Sequence, residues 1–468
     1  MQRRHLLQLG LALGSSPVLL GHSVFAQNAA NKARVIVIGG GYGGSTAAKY
    51  IRMLSGYNIP VTLIEPNASF VSCPMSNLVI GGGYGGATAA KYIRMLSGYN
   101  IPVTLIEPNA SFLSCPMSNL VIGGSKTLDD LSTPYASLVK KHGVTVVQDH
   151  VTRIDKDKKT ITLANGPTLP YDKLVLSPGV DMMFDSIEGL KAANDNGRIL
   201  QAWKAGTETT ALRKQLQDMP NGGVYALTIP EAPYRCPPGP YERASQVAHY
   251  FKQAKPKSKV LILDANPDVT SKGPLFKKFW SENYKDIIEF RPNHKVTAVD
   301  GQAGLIKFDV QENVRADILI VLPDMRAGSI AVQAGLATAN KRWCGVNYLT
   351  FESTVAKDIH ILGDAMLAAP AMPKSAHMAN SHAKVAAAAI VAQLSGLDIN
   401  PAPFLTNTCY SYVSDNMVVH VASVHQFNLE EKTYKTVPGS GGVSSEANTL
   451  EATYAWNWAQ NIWADSLL

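Results

Sequence analysis

The chain has 468 residues, which is long enough for several domains at roughly 100–200 residues per domain. Hydrophobic residues make up 46% and charged residues 17%, so the sequence lies in the globular range, and the disordered and fibrous classes are excluded. The net charge of +7 comes from 43 basic and 36 acidic residues, and the basic residues are scattered singly. Because no clustered basic patch exists, nucleic acid is a poor candidate partner.

The first 26 residues predict an export signal. Arg3 and Arg4 precede an apolar stretch over residues 6–20, and small residues at Val24 and Ala26 suit a signal peptidase. The stretch is shorter than the roughly 20 residues that span a bilayer, so we expect cleavage after Ala26, with an uncleaved anchor as the alternative. The arginine pair resembles a twin-arginine signal, which predicts a periplasmic protein exported already folded. No later stretch predicts a transmembrane segment.

A 42-residue segment occurs twice in succession. The first copy (residues 37–78) and the second copy (residues 79–120) differ only at Ser45/Ala87 and Val71/Leu113. Two copies without continuation argue against a solenoid. The repeat indicates recent unequal recombination between VIGG strings or an error in the assembled sequence.

The first copy and its flank predict a dinucleotide site. The elements, in order, are a β-branched strand at 34–38, the glycines Gly39, Gly41 and Gly44, a helix at 46–53, and a strand at 61–65 ending in Glu65. Such glycines let the backbone approach a pyrophosphate, the helix N-terminus offers free N–H groups, and the carboxylate can hold ribose hydroxyls. The order of elements makes this motif far more specific than a lone GxGxxG.

Later segments indicate FAD rather than a nicotinamide. Residues 171–179, ending at Gly179, resemble the strand that returns to the FAD domain in two-dinucleotide flavoproteins, and Asp364 resembles the acid that meets the flavin side chain there. Residues 375–394 predict a helix whose N-terminus faces the flavin. In the middle domain, the strand predicted at 223–230 leads into prolines, which supply no amide donors, and only the strand at 259–264 is recognisable. We therefore do not expect a nicotinamide as electron donor.

The cysteines predict no metal or haem site in this chain, and the tryptophans near the C-terminus predict packing. The five cysteines show neither zinc-type spacing nor a C-x-x-C-H haem motif, so any haem belongs to another chain. Cys344 is expected to be a buried apolar residue. Trp456, Trp458 and Trp463 are expected to form core or subunit interface rather than to stack on a flavin.

Several strings together resemble the flavoprotein subunit of flavocytochrome c sulfide dehydrogenase over essentially the whole mature chain. They are SCPMSNL at 72–78, YRCPPGPYER at 234–243, WC at 343–344, GDA at 363–365, MPKSA at 372–376 and NTCYS at 407–411. The resemblance implies an α/β fold with an FAD-binding Rossmann-like domain, a second dinucleotide-like domain and a C-terminal α+β domain. The expected ranges are 33–184 and 345–400 for the FAD domain, 185–344 for the second domain and 401–468 for the C-terminal domain.

The resemblance also implies roles for individual residues. FAD would be attached by a thioether to Cys73 or Cys115, and Lys374 would contact the cofactor. Cys236 and Cys409 would form a redox-active disulfide, with Glu242 as its acid or base. The alternatives are an inert interdomain staple for the cysteine pair and, for Glu242, a surface ion pair with Arg243 or another neighbour.

We therefore expect an enzyme that oxidises sulfide to sulfur or polysulfide and passes electrons to a c-type cytochrome subunit. The alternatives are an enzyme like the sulfide:quinone oxidoreductases, and a non-catalytic cytochrome-binding subunit whose flavin domain is broken by the duplication. Between the two copies, the sequence slightly favours the first glycine loop with Glu65. The choice between Cys73 and Cys115 stays open.

Overall fold

The computed structural model describes residues 34–38, 42–64 and 76–468. The chain forms two compact units, Met1–Pro74 and Met75–Leu468. In the first unit, the strands Val35–Ile38 and Val61–Ile64 pair in parallel and the helix Tyr42–Leu54 connects them. Residues 35–38 and 42–64, most of which belong to the first copy of the repeat, therefore form a βαβ element with its own two-stranded sheet.

The second unit is built around a seven-stranded sheet. In spatial order its strands are Val346–Asn347, Glu352–Ser353, Ile359–Ile361, Lys173–Leu176, Asn77–Ile80, Val103–Ile106 and Thr145–Val147. The last five are mutually parallel. Asn77–Ile80 is buried along its whole length, as an apolar run in the middle of a parallel sheet should be. The second copy of the repeat thus supplies the inner strand Val103–Ile106 and the second half of Asn77–Ile80, whose first two residues end the first copy.

The helix that connects the strands Asn77–Ile80 and Val103–Ile106 packs against two long helices. The helix Tyr84–Leu96 contacts Ala376–Ser395 and the C-terminal helix Thr449–Leu467. Buried alanines, among them Ala87, Ala383 and Ala386, lie in the shared core. Small side chains let the helices approach one another, so the start of Tyr84–Leu96 is held firmly beside the sheet.

A second parallel sheet forms the middle of the chain. Its order is Ile288–Arg291, Lys259–Asp264, Val224–Ile229 and Ile318–Val321. Its helices are Thr207–Asp218, Gly239–Ala254 and Gly273–Asn283. The strands predicted at 223–230 and 259–264 are confirmed.

The C-terminal region is an antiparallel sheet followed by the last helix. Its strands are Phe404–Tyr412, Val418–Asn428, Thr433–Thr436 and Gly442–Val443. The smaller sheets comprise Ser111–Leu113 with Ser132–Pro134, Val151–Asp155 with Thr160–Leu163 and Thr168–Pro170, Val180–Met182 with Met325–Ala327, and Val296–Asp300 with Leu305–Phe308 and Val314–Arg315. The short helices are Ser118–Gly123, Asp129–Leu131, Ala136–His142, Phe184–Ser186, Leu190–Asp195, Ser329–Gln333 and Gly363–Ala365.

The predicted α/β class is confirmed, and the helix predicted at 375–394 is Ala376–Ser395. The predicted FAD-domain range 33–184 spans both compact units, and the individual domain limits stay predictions. In residues 42–64 and 76–468, no helix is both long and apolar enough to cross a bilayer.

Candidate active site

The glycine loop of the second copy connects the strand Asn77–Ile80 with the helix Tyr84–Leu96. A Cβ atom on Gly81 would lie 2.4 Å from the carbonyl oxygen of Ser177, and one on Gly86 would lie 1.8 Å from that of Gly81. Both obstacles are backbone atoms, so these positions require glycine. Gly83 instead has open space beside it, and no side chain caps the helix that it precedes. The loop therefore leaves room, and first-turn N–H donors, for an anionic ligand.

An acid follows the next strand and holds the loop. Glu107 is buried after Val103–Ile106, and its Oε2 accepts a hydrogen bond from the N–H of Gly82 at 2.6 Å. Its Oε1 accepts from the backbone and side chain of Asn109 at 3.0 and 2.6 Å. In the second copy, Glu107 occupies the place that Glu65 has in the first copy. The carboxylate lies beside the glycine loop, where a dinucleotide ribose would meet it.

The copy that joins the seven-stranded sheet is the second one, which differs from the sequence preference for the first. Gly39, Gly41, Glu65 and Cys73 lie outside the described residues, and Gly44 lies in the helix Tyr42–Leu54 of the first unit. One of the two differences between the copies supplies a physical reason. Ala87 is 0% exposed in the core, and the first copy has Ser45 at that position. Burying an unpaired hydroxyl costs about 1–3 kcal/mol.

The second unit contains a cleft of about 1270 Å³ beside this loop, including its open mouth. Segments of the glycine loop, the middle sheet region and the C-terminal sheet all line it. The sequence-predicted residues among them are Cys115, Gly179, Cys236, Glu242, Asp364, Lys374 and Cys409. Residues that are distant in sequence thus converge on one cleft. The second copy of the repeat contributes its glycine loop and Cys115 to the lining.

Asp364 places an unpaired carboxylate oxygen in this cleft. It lies in the turn Gly363–Ala365, and its buried Oδ1 has no hydrogen-bond partner in the described part of the chain. Burial raises the pKa of Asp364, while the cations of Arg235 and Lys374 oppose that rise. A buried polar atom without a partner costs free energy until a ligand supplies one. A hydroxyl of the FAD ribityl chain fits this requirement.

The N-terminus of Ala376–Ser395 also reaches the cleft. Ser375 caps the helix by accepting from the N–H of Met378 at 3.0 Å, and Ala376 and His377 line the cleft. Lys374 donates to the carbonyl oxygens of Asp364 and Met366 at 2.9 and 2.5 Å. Burial lowers the pKa of Lys374 to about 8. A helix N-terminus and a buried cation at one edge of the cleft favour an electron-rich ring. With the glycine loop and Asp364, the residues fit FAD.

Two free thiols lie in the same cleft. Cys236 has a φ of 60° in the loop before the helix Gly239–Ala254, and its N–H donates to the carbonyl oxygen of Lys374 at 2.9 Å. Cys409 lies on the strand Phe404–Tyr412, and its Sγ donates to Asn407 Oδ1 at 3.5 Å. Burial raises the pKa of both thiols, that of Cys236 to about 12, and the charge of Cys409 contributes to the rise at Cys236. The two cysteines therefore line one cleft and interact electrostatically.

Glu242 is a carboxylic acid in the same cleft as the two thiols. It lies in the first turn of Gly239–Ala254, is 8% exposed and lines the cleft. It accepts from the Tyr412 N–H at 3.2 Å and from Asn119 Nδ2 at 3.3 Å, and burial raises its pKa. The alternative of a surface ion pair with Arg243 is wrong, because Glu242 is buried and Arg243 donates to the Ala202 carbonyl at 2.6 Å. A buried carboxyl with a raised pKa suits proton transfer.

Sequence reasoning missed several cleft residues. Arg235 donates to the carbonyl oxygen of Trp203, and both line the cleft. Burial lowers the pKa of Arg235, but Cys115, Asp364 and Cys236 outweigh burial and raise it. Their spacing forms no motif, although Arg235 is the neighbour of a predicted site cysteine.

The aromatic stretch near the C-terminus is divided in its roles. Trp463 is buried and donates to Tyr84 Oη at 2.9 Å, as expected for a core residue. Trp456 and Trp458 pack against the same core, as expected, and Trp458 also lines the cleft. Cys344 is 0% exposed, so its predicted burial is confirmed.

In the middle sheet, the acid at the position that would bind a dinucleotide ribose is already hydrogen-bonded to side chains of the protein itself. Asp264 ends its second strand, where an NAD-binding domain has the ribose-binding acid. Its Oδ2 accepts from Tyr241 Oη at 2.6 Å, and its Oδ1 accepts from the N–H and Nδ2 of Asn266 at 2.9 and 2.8 Å. The helix start that would bind a pyrophosphate carries Pro238 and Pro240 and lies at the flavin-type cleft. These contacts support the prediction that a nicotinamide is not the donor.

Family models match three segments of the chain. They are "Sulfide dehydrogenase [flavocytochrome c] flavoprotein chain, central" at residues 209–323, "Flavocytochrome c sulphide dehydrogenase, flavin-binding" at 401–467, and "Pyridine nucleotide-disulphide oxidoreductase" at 75–216. A curated relative, the sulfide dehydrogenase [flavocytochrome c] flavoprotein chain of Chlorobaculum thiosulfatiphilum, is 57% identical over 44 residues, covering 9% of this chain and 90% of that sequence. The chain belongs to this flavoprotein family. It is thus a flavin oxidoreductase with an FAD site, and the predicted resemblance is confirmed.

More distant relatives share the fold. The mitochondrial sulfide:quinone oxidoreductase of Dictyostelium discoideum is 24% identical over 231 residues, covering 47% of this chain and about half of that protein's length. The solved sulfide:quinone oxidoreductase of Aquifex aeolicus has a TM-score of 0.70 at 19% identity, covering 84% of this chain and 91% of that one. The putidaredoxin reductase in its covalent complex with putidaredoxin has a TM-score of 0.60 at 15% identity, covering 83% and 93%. At these identities, the structures show the common architecture.

Proposed function

We propose that the protein is an exported, periplasmic enzyme that oxidises sulfide to sulfur or polysulfide and passes the electrons to a c-type cytochrome subunit. The observation that carries this proposal is the convergence of Cys236, Cys409 and Glu242 on the cleft that also holds Asp364 and the glycine loop. An inert staple would not need an acid beside it. In this proposal the two thiols are a disulfide in the resting enzyme.

The chain's own residues would carry the first steps. Glu242, with its raised pKa, takes a proton from hydrogen sulfide bound beside the cysteines. The hydrosulfide sulfur bonds to one sulfur of the disulfide, the disulfide bond breaks, and its electron pair leaves on the other sulfur as a thiolate. Bound FAD would supply the acceptor for the electron pair of that thiolate and a route by which electrons leave one at a time.

We further propose that Cys115 carries FAD through a thioether to the 8α-methyl carbon. Cys115 lines the cleft, accepts from the N–H of Ala205 at 3.4 Å, and lies in the copy that joins the main sheet. The side chain of the cation Arg235 interacts with Cys115 at this position.

The test is anaerobic addition of sulfide to the purified flavoprotein, followed by a choice of oxidants. Sulfide should bleach the flavin absorbance, and a c-type cytochrome should restore it much faster than a soluble quinone does. The Cys409→Ser variant should keep its flavin and lose the bleaching by sulfide. A flavoprotein that sulfide does not reduce would contradict the proposal. Periplasmic export is tested separately, by fractionation and N-terminal sequencing, which should give a chain beginning at Gln27.

The second candidate is a sulfide:quinone oxidoreductase. The similarity to the Dictyostelium discoideum and Aquifex aeolicus enzymes favours it. Faster reoxidation by the quinone than by the cytochrome would select this alternative.

A further inference from the structure

Lys272 is a buried cation beside the cysteine pair that no motif predicts. It directly precedes the helix Gly273–Asn283, has a φ of 57°, and is 8% exposed. Its Nζ donates to the Cys409 carbonyl at 2.9 Å, to Ser411 Oγ at 2.7 Å and to the Val419 carbonyl at 3.5 Å. All three acceptors are neutral, and no carboxylate of the described residues forms an ion pair with this ammonium.

This placement is costly for a cation. Burial without an ion-pair partner penalises the charged form, and the positive end of a helix dipole disfavours an ammonium at the N-terminus. Burial accordingly lowers the pKa of Lys272 to about 8, and the charges that oppose burial are those of Cys409, Glu242 and Cys236, followed by Glu451. An anion forming on a neighbouring sulfur would offset this cost.

The contacts distinguish the two sulfurs. Lys272 bonds the backbone of Cys409 itself, whereas Cys236 packs against Gly239, where an added Cβ would lie 2.9 Å from its Sγ. Arg235 lowers the pKa of Cys236 more than Lys272 does, and its guanidinium is bound to the Trp203 carbonyl and also interacts with Cys115. For Cys409, Lys272 is the group that opposes the effect of burial on the pKa most strongly.

We infer that Lys272 is a positioning residue that stabilises the thiolate of Cys409 when the disulfide opens, so that the hydrosulfide sulfur is accepted on Cys236. The inference rests on the proposed function. The S–S bond between the cysteines breaks, a bond forms between the hydrosulfide sulfur and Cys236, and the electron pair goes to Cys409. The product is a persulfide on Cys236 and a thiolate on Cys409.

The first test locates the persulfide in the wild-type holoenzyme. One equivalent of sulfide is added anaerobically, the products are trapped with an alkylating reagent, and the peptides are identified by mass. The extra sulfur is expected on the peptide of Cys236, and an extra sulfur on that of Cys409 overturns the inference. Absence of both the disulfide and any persulfide would contradict the proposed function instead. This test needs no variant and stands even if substitution of Lys272 prevents folding.

The second test removes the charge. In the reduced enzyme at pH 7.5, Lys272→Gln should slow the alkylation of Cys409 at least tenfold and leave that of Cys236 within about twofold, whereas Lys272→Arg should keep the wild-type rate. Lys255→Gln is the matched control, because Lys255 is also 8% exposed and is held by the carbonyls of Gln217 and Met219. Unchanged labelling of Cys409 in Lys272→Gln, or an equal slowing of both thiols, overturns the inference.

Discussion

Replacing Gly86 by alanine tests which copy of the repeat forms the flavin site. The added Cβ would lie 1.8 Å from the carbonyl oxygen of Gly81, whereas contacts below 3.0 Å are essentially never seen. The strand end and the helix start must therefore separate by about 1.2 Å. Overpacking of this kind costs about 1–3 kcal/mol, and at about 2–4 °C per kcal/mol the melting temperature should fall by roughly 2–12 °C.

The repeat provides a matched control for this substitution. Gly44 holds the corresponding position in the first copy, and the surrounding sequence is almost identical. Gly44→Ala should leave the flavin content and the melting temperature of the flavin domain unchanged, because the strands that flank Gly44, Val35–Ile38 and Val61–Ile64, pair with each other in a separate two-stranded sheet. Both variants are purified in parallel and compared by the ratio of flavin to protein absorbance and by thermal unfolding. Loss of flavin in Gly44→Ala, with normal flavin in Gly86→Ala, would refute the assignment.

Three further predictions concern the chemistry of the cleft. Glu242→Gln should slow the reduction of flavin by sulfide by roughly 10²–10⁴-fold. The wild-type rate should rise with pH through a pKa above that of an ordinary glutamate, and this rise should be absent in the variant. An unchanged pH profile in the variant, measured by stopped flow, would exclude Glu242 as the base. Asp364→Ala should weaken FAD retention by about 1.5–3 kcal/mol, the value of a hydrogen bond to a charged group, as measured by reconstitution with FAD in a Cys115→Ser background; equal retention would mean that Oδ1 has no ligand. NADH should not reduce the flavin, because Tyr241 and Asn266 already satisfy Asp264, and rapid anaerobic bleaching by NADH would contradict this.

Much of the fold follows from local sequence. The strands around each glycine loop, the two strands of the middle sheet and the alanine-rich helix all carry clear apolar patterns, and the structure has them within a few residues of the predicted limits. These elements combine β-branched runs or a helical period with recognisable ends. The convergence of Cys236, Asp364, Lys374 and Cys409 on one cleft could be expected from the resemblance alone.

The choice between the copies could not be read from the motif, because the motif is the same in both. Contacts outside the motif distinguish them. The N–H of Ser76 donates to Asp172 Oδ2 at 2.6 Å, and the N–H of Asp172 donates to the Ser76 carbonyl at 2.7 Å. Before the first glycine loop, the position that corresponds to Ser76 is Arg34. The difference between Ser45 in the first copy and Ala87 in the second is a signal in the sequence, but it favours the second copy only once this helix face is known to be buried.

The buried cations were missed for a different reason. Lys272 and Arg235 are held by backbone carbonyls of distant segments, and such acceptors leave no trace in the residue types. Trp458 packs against the core, as a tryptophan in an aromatic helix usually does, and it also lines the cleft, which its sequence context does not predict. Only the tertiary arrangement shows that this part of the C-terminal helix borders the cleft.

The most direct test of the account is the intact mass of the denatured protein together with a peptide map. We predict a chain that contains both copies of the repeat, a mass increment of one FAD that survives denaturation, and a flavin on the peptide that contains Cys115 and continues into residues 118–126. Flavin on the Cys73 peptide, or a full-length chain without flavin, would contradict the assignment of the site to the second copy.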